Sequence, residues 1–324
     1  MSSTRPLLIF YEHPDWFRPL FHELDRRSTP YVKVHADSFL FDAAAQPPLA
    51  SAVFNRMSPS AWKRERGGAI FFTHDYLAWL ESHGVDVVNG AAAFRLETSK
   101  AQQIALLSRL GIRAPRTRVV ANVAALPDAA RTLQYPIIVK PNIGGSGAGI
   151  VRFDDPIELV RAVREKSIAA GLDGVLLAQE YHSPRGNSIV RIETLNARYL
   201  YGIRIHLGDT ADFNLCPADV CKTSDGRELT SAACPAGAAN AGLTVEAYTP
   251  PDELIVAAEL ISRAAQIDVG GIEYLESSRD GAVYFYDINA LSNFVADPLK
   301  VIGFDPTVRL VDALEVRMLR QAVA

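Results

Sequence analysis

Cysteine is scarce in this chain, which has only three among its 324 residues. Cys216, Cys221 and Cys234 fall within one stretch, and a small odd number does not suggest the disulfide framework of a secreted protein. Three neighbouring thiolates could hold a metal ion. Reduced cysteines in a loop-rich segment are the simpler interpretation.

Long uncharged apolar runs are also lacking. The first apolar run, Leu7–Tyr11, is ended at once by Glu12 and His13, so it is too short for the core of a signal peptide. No later run has the length needed to cross a bilayer. We therefore expect a cytoplasmic protein with no membrane partner.

The chain has no large excess of charge of either sign. Thirty-three lysines and arginines against 37 aspartates and glutamates give a formal net charge of -4, which offers no electrostatic basis for binding nucleic acid. Hydrophobic residues make up 48% and charged residues 22%, as in ordinary globular proteins. The expected partners are small molecules or peptides. A homo-oligomer is compatible with this composition.

The length of 324 residues is roughly twice that of a usual single domain. Residues 1–95 alternate between apolar strand patterns and helical patterns, which predicts a doubly wound α/β domain. Residues 96–182 predict an α+β lobe with its own small sheet. Residues 183–324 predict a second α+β lobe with two strand pairs and a closing helix.

A glycine-rich stretch, YPIIVKPNIGGSGAGIVRF, occupies residues 135–153. A Walker-type loop would have its lysine after the glycines, at the start of a helix. Here Lys140 precedes the glycines and an apolar strand pattern follows them, so the stretch predicts a β-hairpin with a flexible tip. The tip would cover phosphates with its N–H groups while Lys140 adds a charge. The alternative is a mobile turn with a solvated lysine.

A second hairpin, GGIEYLESSRDGAVYFYDIN, carries two carboxylates. A turn at Asp280 and Gly281 places Glu273 opposite Asp287, and Asn289 falls on the same face as Asp287. Facing carboxylates in an apolar sheet are costly without a cation between them, and hard oxygen ligands suit Mg²⁺. The alternative is a solvent-facing strand pair whose carboxylates pair with arginines.

Polar side chains also follow the third predicted strand, in FNRMSPSAWKR. Asn55, Arg56, Ser58 and Ser60 would lie at the carboxyl end of a parallel sheet, where ligands tend to bind. Arg56 could hold a substrate carboxylate with two parallel hydrogen bonds. The alternative is a polar loop whose arginine pairs with a surface acid.

The order of these motifs resembles the ATP-grasp superfamily, in particular the branch with glutathione synthetase and the RimK-like glutamate ligases. The resemblance rests on Lys100 before a helix, Lys140 with GGSGAG, the strand end QEY, two arginines on paired strands, and IE followed by YDIN. It covers residues 88–324. It implies an N-terminal Rossmann-like pre-ATP-grasp domain followed by an ATP-grasp fold of two α+β subdomains.

The resemblance also implies roles for particular residues. The phosphates of ATP would be contacted by Lys100, Lys140 and a lid formed by Gly144, Gly145, Ser146 and Gly147. The adenine would lie against Gln179, Glu180 and Tyr181. The transferred phosphoryl group would face Arg204 and Arg191. One or two Mg²⁺ ions, with Mn²⁺ as another possibility, would be held by Glu273, Asp287 and Asn289.

The sequence departs from the family pattern in two segments that flank the motif residues. The segment NSIVR lacks the usual aspartate before its arginine, so ribose or magnesium contacts would fall to Asn187 or Ser188. NALSNF replaces the usual Pro-Gly, which makes Ser292 and Asn293 candidate substrate contacts.

The activity implied by the resemblance is that of an ATP- and Mg²⁺-dependent carboxylate–amine ligase that forms an amide through an acyl phosphate. Its substrate would be an amino acid or a peptide. A kinase with the same fold and a nucleotide-binding module without turnover are the alternatives.

Overall fold

The structure is a computed structural model that describes residues 5–13, 15–145, 147–208 and 244–323. Ser146 and the three cysteines lie outside the described residues. The described α-helices are α1 Arg18–Arg27, α2 Gly67–Ser82, α3 Ala91–Glu97, α4 Lys100–Arg109, α5 Leu126–Ala130, α6 Pro156–Arg164, α7 Asp252–Ala264, α8 Pro298–Val301 and α9 Pro306–Val323.

The described strands form three sheets. They are β1 Leu7–Tyr11, β2 Tyr31–His35, β3 Ala52–Arg56, β4 Val87–Val88, β5 Thr117–Val120, β6 Ile137–Pro141, β7 Val151–Phe153, β8 Leu176–Glu180, β9 Ser188–Leu195, β10 Arg198–His206, β11 Thr244–Ala247, β12 Val269–Glu276 and β13 Val283–Asn289. The mixed α/β class predicted from the sequence is confirmed. The domain limits at 95 and 182 remain predictions. In the described ranges, no helix is both long and apolar enough to cross a membrane.

The first sheet is parallel, in the order β2-β1-β3-β4. Alternate residues of β1 point to opposite faces of the sheet. Leu7 and Ile9 pack with α1 and α9 on one face, whereas Leu8 and Phe10 pack with α2 on the other. Both faces of this sheet are therefore covered by helices.

The second sheet is antiparallel, in the order β5-β8-β6-β7, and contains the predicted glycine hairpin. β6 pairs with β7, with Ile137 opposite Phe153. Helices α5 and α6 pack on one face through Leu126 and Leu159. Lys140 and Gln179 belong to the opposite face, which is left open as a cavity wall.

The third sheet has the order β11-β10-β9-β12-β13 and is antiparallel throughout. The turn between β9 and β10 consists of Asn196 and Ala197, both with positive φ, as the type I′ hairpin turn requires. Ile261 of α7 packs against Ile192 and Ile272 on one face of the sheet.

The hairpin β12–β13 confirms the predicted pairing of Glu273 with Asp287, but by a different route. Near the tip Glu276 pairs with Val283, so the strands enter the turn one residue out of the predicted register. A β-bulge then places Tyr286 as an extra residue between the pairs Tyr274–Phe285 and Glu273–Asp287. The bulge brings Asp287 onto the same face as Glu273.

Candidate active site

A cavity of about 420 Å³ lies where the three sheets meet. Most of the residues selected from the sequence line it: Ser58, Ser60, Lys100, Lys140, Gly144, Gly145, Gly147, Gln179, Glu180, Tyr181, Asn187, Arg191, Glu273, Asp287, Asn289 and Asn293. Five others do not line it: Asn55, Arg56, Ser188, Arg204 and Ser292.

The two lysines reach the cavity from different elements. Lys100 begins α4, where the Ser99 side chain caps the helix by accepting from the Gln102 N–H. Its ammonium is hydrogen-bonded to Asp287. Burial lowers the pKa of Lys100, but the charge and hydrogen bond of Asp287, together with the charges of Glu97 and Glu273, raise it overall.

Lys140 lies on β6 and is buried at the cavity wall, only 6% exposed. Burial, together with the charge of Lys100, lowers its pKa to about 8. No ion pair to Lys140 is found among the described residues. An anion in the cavity would therefore find an ammonium that has little compensation from the protein.

The glycine loop is closed against the N-terminal part of the chain. Ile143 is buried among the apolar residues that surround α2. Gly145 has a φ of 153° and lies so close to Ser60 that a Cβ there would be 2.6 Å from the serine Cβ. A Cβ on Gly144 would be 3.5 Å from Cε of Lys100. The loop thus covers the cavity over the lysines.

The carboxylates of Glu273 and Asp287 are each already paired with a positively charged side chain. Glu273 accepts from Arg191 Nη1 at 2.9 Å and from the Tyr286 hydroxyl at 2.9 Å. Burial raises the pKa of Glu273, although Arg191 opposes this. Burial would also raise the pKa of Asp287, but the charge and hydrogen bond of Lys100 lower it overall.

These groups fit a divalent cation. Asn289 Nδ2 lies 3.3 Å from Asp287 Oδ2, so the amide adjoins the carboxylates on the cavity wall. In the described part of the chain no group of three His, Cys, Asp or Glu side chains could hold a metal ion. A cation here would therefore take two carboxylates, the Asn289 amide oxygen, and oxygens from water or phosphate, as Mg²⁺ commonly does.

Arg191 is fixed at the centre of the sheet by three acceptors. Its Nε donates to Glu193 at 2.6 Å, its Nη1 to Glu273 at 2.9 Å and its Nη2 to the Ser292 hydroxyl at 3.3 Å. Its guanidinium lies directly over Gly271, which has no side chain to obstruct it. The charge of Arg191 is therefore held beside the carboxylates.

The resemblance implied that Arg204 also faces the phosphoryl group, but the structure places it on the other face of the sheet. A straight hairpin from the Asn196 turn would pair Arg204 with Ile189 and so place it on the same face as Arg191. A β-bulge between Tyr199 and Tyr201 shifts the register by one residue, and a one-residue shift reverses the face. Arg204 instead stacks over Tyr248, with its Cζ 3.9 Å from the ring centre.

The predicted adenine residues line the cavity, but the Glu180 carboxylate is already engaged. It accepts from the Gln134 N–H at 2.9 Å and lies 3.5 Å from Arg116. Gln179 Nε2 donates to Thr117 at 2.8 Å. The exocyclic amine of adenine would thus meet backbone groups at this strand end more readily than the Glu180 side chain.

Two of the four N-terminal substrate candidates, Asn55 and Arg56, have structural roles. Asn55 Nδ2 donates to the Asn89 carbonyl at 3.0 Å, within the interior. Arg56 donates through Nη2 to the Ser292 carbonyl at 2.6 Å and to Asn293 Oδ1 at 3.0 Å. Burial lowers the pKa of Arg56 to about 9. Arg56 therefore supports the loop that contains Asn293, and it does not line the cavity where the predicted contact to a substrate carboxylate would be made.

Several cavity residues were missed by the sequence reasoning: Trp16, Glu97, Arg152, His182 and Tyr286. Glu97 is buried, accepts from the Ala290 N–H, and has its pKa raised by burial to about 7. The available sequence signal for Glu97 was its position three residues before Lys100. No sequence signal pointed to Tyr286, because its contact with Glu273 depends on the bulge.

No family model matches the chain. Among curated proteins, D-alanine–D-alanine ligase B of Pseudomonas putida is 29% identical over 158 residues, which are 46% of this chain and 49% of that protein. A probable alpha-L-glutamate ligase of Teredinibacter turnerae is 27% identical over 135 residues, 41% of this chain and 44% of the relative. The chain matches about half the length of these relatives.

Solved structures match over nearly the whole chain at low identity. The ATP-grasp ligase PsnB, in complex with a phosphomimetic variant of a minimal precursor, Mg and ADP, has a TM-score of 0.67 at 18% identity and covers 98% of this chain and 100% of that one. The D-cycloserine synthetase DcsG has a TM-score of 0.65 at 18% identity, over 96% and 99%.

A RimK domain ATP-grasp protein from Sphaerobacter thermophilus has a TM-score of 0.58 at 17% identity, covering 97% of both chains. Similarity at this level of identity concerns the fold. The chain therefore has the ATP-grasp fold, and in part of its sequence it is similar to D-alanine–D-alanine and glutamate ligases.

Proposed function

We propose that this protein is an ATP- and Mg²⁺-dependent ligase that joins a carboxylate to an amine as an amide. One observation carries the proposal: Lys100, Lys140, Arg191, Glu273 and Asp287 converge on a single cavity from one helix and two sheets. Two lysines, an arginine and two carboxylates are the charges that binding of a metal–nucleotide complex requires.

The first step would be phosphoryl transfer. An oxygen of the substrate carboxylate attacks the γ-phosphorus of ATP, the bond to the bridging oxygen breaks, and ADP leaves with that electron pair. Lys140 and Lys100 would neutralise phosphate oxygens, and Arg191 would add charge where the new bond forms. Mg²⁺ held by Glu273, Asp287 and Asn289 would supply further positive charge to the transferring group.

The second step would be attack of the amine on the acyl phosphate. The new carbon–nitrogen bond forms, inorganic phosphate leaves with the electron pair of the broken carbon–oxygen bond, and the proton lost by the amine passes to the departing phosphate or to solvent. The glycine loop, whose Gly145 lies against Ser60, would keep water from the acyl phosphate.

Peptides and amino acids are the proposed substrate classes. The structures of PsnB include complexes with precursor peptides, and the names of the curated relatives refer to alanine and glutamate. The substrate would enter beside Ser58, Asn293 and Trp16, where the N-terminal part of the chain adjoins the cavity.

The test is ADP formation from Mg-ATP in the presence of pools of amino acids, peptides and small carboxylic acids, with mass analysis of the products. We expect ADP and inorganic phosphate in equal amounts, together with a product whose mass shows the loss of one water. Asp287→Asn should lower turnover at least a hundredfold, because it removes a charge that would bind the cation.

Two outcomes would contradict the proposal. ADP without inorganic phosphate, and a product heavier by one phosphoryl group, would indicate a kinase. Unchanged turnover in Asp287→Asn would remove that residue from the metal site.

A further inference from the structure

The strand that carries Asp287 and Asn289 lies at the edge of its sheet. Among the described strands β13 pairs only with β12, so within residues 5–208 and 244–323 no strand adjoins the N–H and C=O groups along its other side. An open edge of this kind presents unpaired N–H and C=O groups, which proteins often cover with a helix or loop. Between Phe285 and Ala290, however, these groups bond to residues that precede the second sheet in sequence.

Gln103 of α4 makes the central contact. Its Nε2 donates to the Ile288 carbonyl at 2.7 Å, and its Oε1 accepts from the Ile288 N–H at 3.2 Å. A side-chain amide thus takes the place of the peptide group of a missing strand. Nε2 also donates to the Leu96 carbonyl at 3.1 Å, and Gln103 is 1% exposed.

Three further contacts complete this edge. The Phe285 N–H donates to the Arg113 carbonyl at 3.0 Å. Glu97 accepts from the Ala290 N–H, and Asn89 Nδ2 donates to the Ala290 carbonyl. The residues on both sides of Asp287 and Asn289 are therefore fixed from outside the sheet.

The position of Gln103 connects two parts of the cavity. Ile288 lies between Asp287 and Asn289 and points into the apolar interior, while its two neighbours line the cavity. Lys100, which pairs with Asp287, precedes Gln103 by one turn of the same helix. Helix α4 thus positions both the Lys100 ammonium that pairs with Asp287 and, through Gln103, the backbone that follows Asp287.

We propose that Gln103 is a positioning residue for the divalent cation: by holding both backbone groups of Ile288, it keeps the Asp287 and Asn289 side chains directed at one point. The inference rests on the proposed function, since it concerns the same metal site. Gln103 does not line the cavity, so its effect must pass through the strand. Partners that orient metal ligands typically contribute ten- to a hundredfold to metal affinity.

The experiment measures binding of ADP to the full chain by calorimetry, with and without Mg²⁺. Gln103→Leu keeps the approximate volume of the side chain but removes the hydrogen bonds. We expect its affinity for ADP with Mg²⁺ to fall at least tenfold, and its affinity for metal-free ADP to stay within twofold of wild type.

A matched control is Thr194→Val in the same sheet. Thr194 is fully buried, and its hydroxyl bonds to Ser262 at 2.9 Å and to the Gly270 carbonyl at 3.3 Å, so the variant also loses buried hydrogen bonds. It should bind ADP with Mg²⁺ as wild type does. If Gln103→Leu does not fold, Gln103→Glu keeps the acceptor for the Ile288 N–H and should show a smaller loss of the same kind.

Equal effects of the leucine variant on both forms of ADP, or equal effects of the leucine and valine variants, would overturn the inference. A wild-type protein that binds ADP equally well with and without Mg²⁺ would instead refute the metal-dependent function. If wild type prefers Mg-ADP and Gln103→Leu keeps that preference, only the role of Gln103 is refuted.

Discussion

Substitution of Gly271 by alanine isolates the position of Arg191 without changing any charge. A Cβ at residue 271 would lie 2.5 Å from both Cζ and Nε of Arg191, whereas ordinary van der Waals contacts are 3.4–4 Å. The guanidinium must therefore move by about 1 Å, since the backbone beneath it is held in the sheet. Its bonds to Glu193, Glu273 and Ser292 would lengthen together.

The size of the effect follows from this displacement. A misplacement of about 1 Å at a reacting centre can lower the rate by roughly a hundredfold, which is about 2.7 kcal/mol of transition-state stabilisation. Overpacking in a buried site typically lowers the free energy of unfolding by about 1–3 kcal/mol. Affinity for ADP should change little, because the proposed nucleotide contacts use Lys100 and Lys140.

The assay compares Gly271→Ala with Gly68→Ala in kcat/KM for substrate-dependent ADP formation, in ADP affinity and in chemical unfolding. A Cβ on Gly68 meets nothing within 4 Å, so that variant should keep wild-type activity, with a stability equal to wild type or higher because alanine favours the helix. A folded Gly271→Ala protein with unchanged kcat/KM would refute the role of Arg191. A parallel loss of ADP affinity would show that the effect is not confined to the phosphoryl-transfer step.

Three further predictions concern other parts of the cavity. Because deprotonation of Lys140 near pH 8 removes its charge, ADP affinity should fall by up to tenfold per pH unit above that value, whereas Lys140→Arg should bind ADP with no such decline; parallel pH profiles would exclude the lysine as the cause. Arg204→Ala should lower the free energy of unfolding by about 1 kcal/mol through loss of the Tyr248 contact and leave kcat/KM within about twofold; a hundredfold loss of activity would place Arg204 in the reaction after all. Gly145→Ala should raise the KM for ATP at least tenfold, because its Cβ would strike Ser60 and open the loop; unchanged nucleotide kinetics would mean that the closed loop is not required.

Features governed by short stretches of chain could be predicted from the sequence. The hairpin β6–β7 and the helix that begins at Lys100 depend on turn residues and caps within a few positions. The residue types that surround the cavity were also largely recognisable, because most lie at the start of a predictable helix, or at the end or on the cavity-facing side of a predictable strand. The supporting roles of Asn55 and Arg56 were not, since their partners are 34 and 236 residues away in sequence.

Two β-bulges mark the boundary between what the sequence by itself determined and what the tertiary structure decided. The sequence determined which carboxylates and arginines lie on neighbouring strands. It did not determine which face each one occupies, because one extra residue in a strand reverses the face of everything beyond it. The bulge at Tyr286 brings Asp287 to the side of Glu273, and the bulge between Tyr199 and Tyr201 turns Arg204 away. Packing on both faces of the sheet selects these registers, and such packing depends on residues distant in the chain.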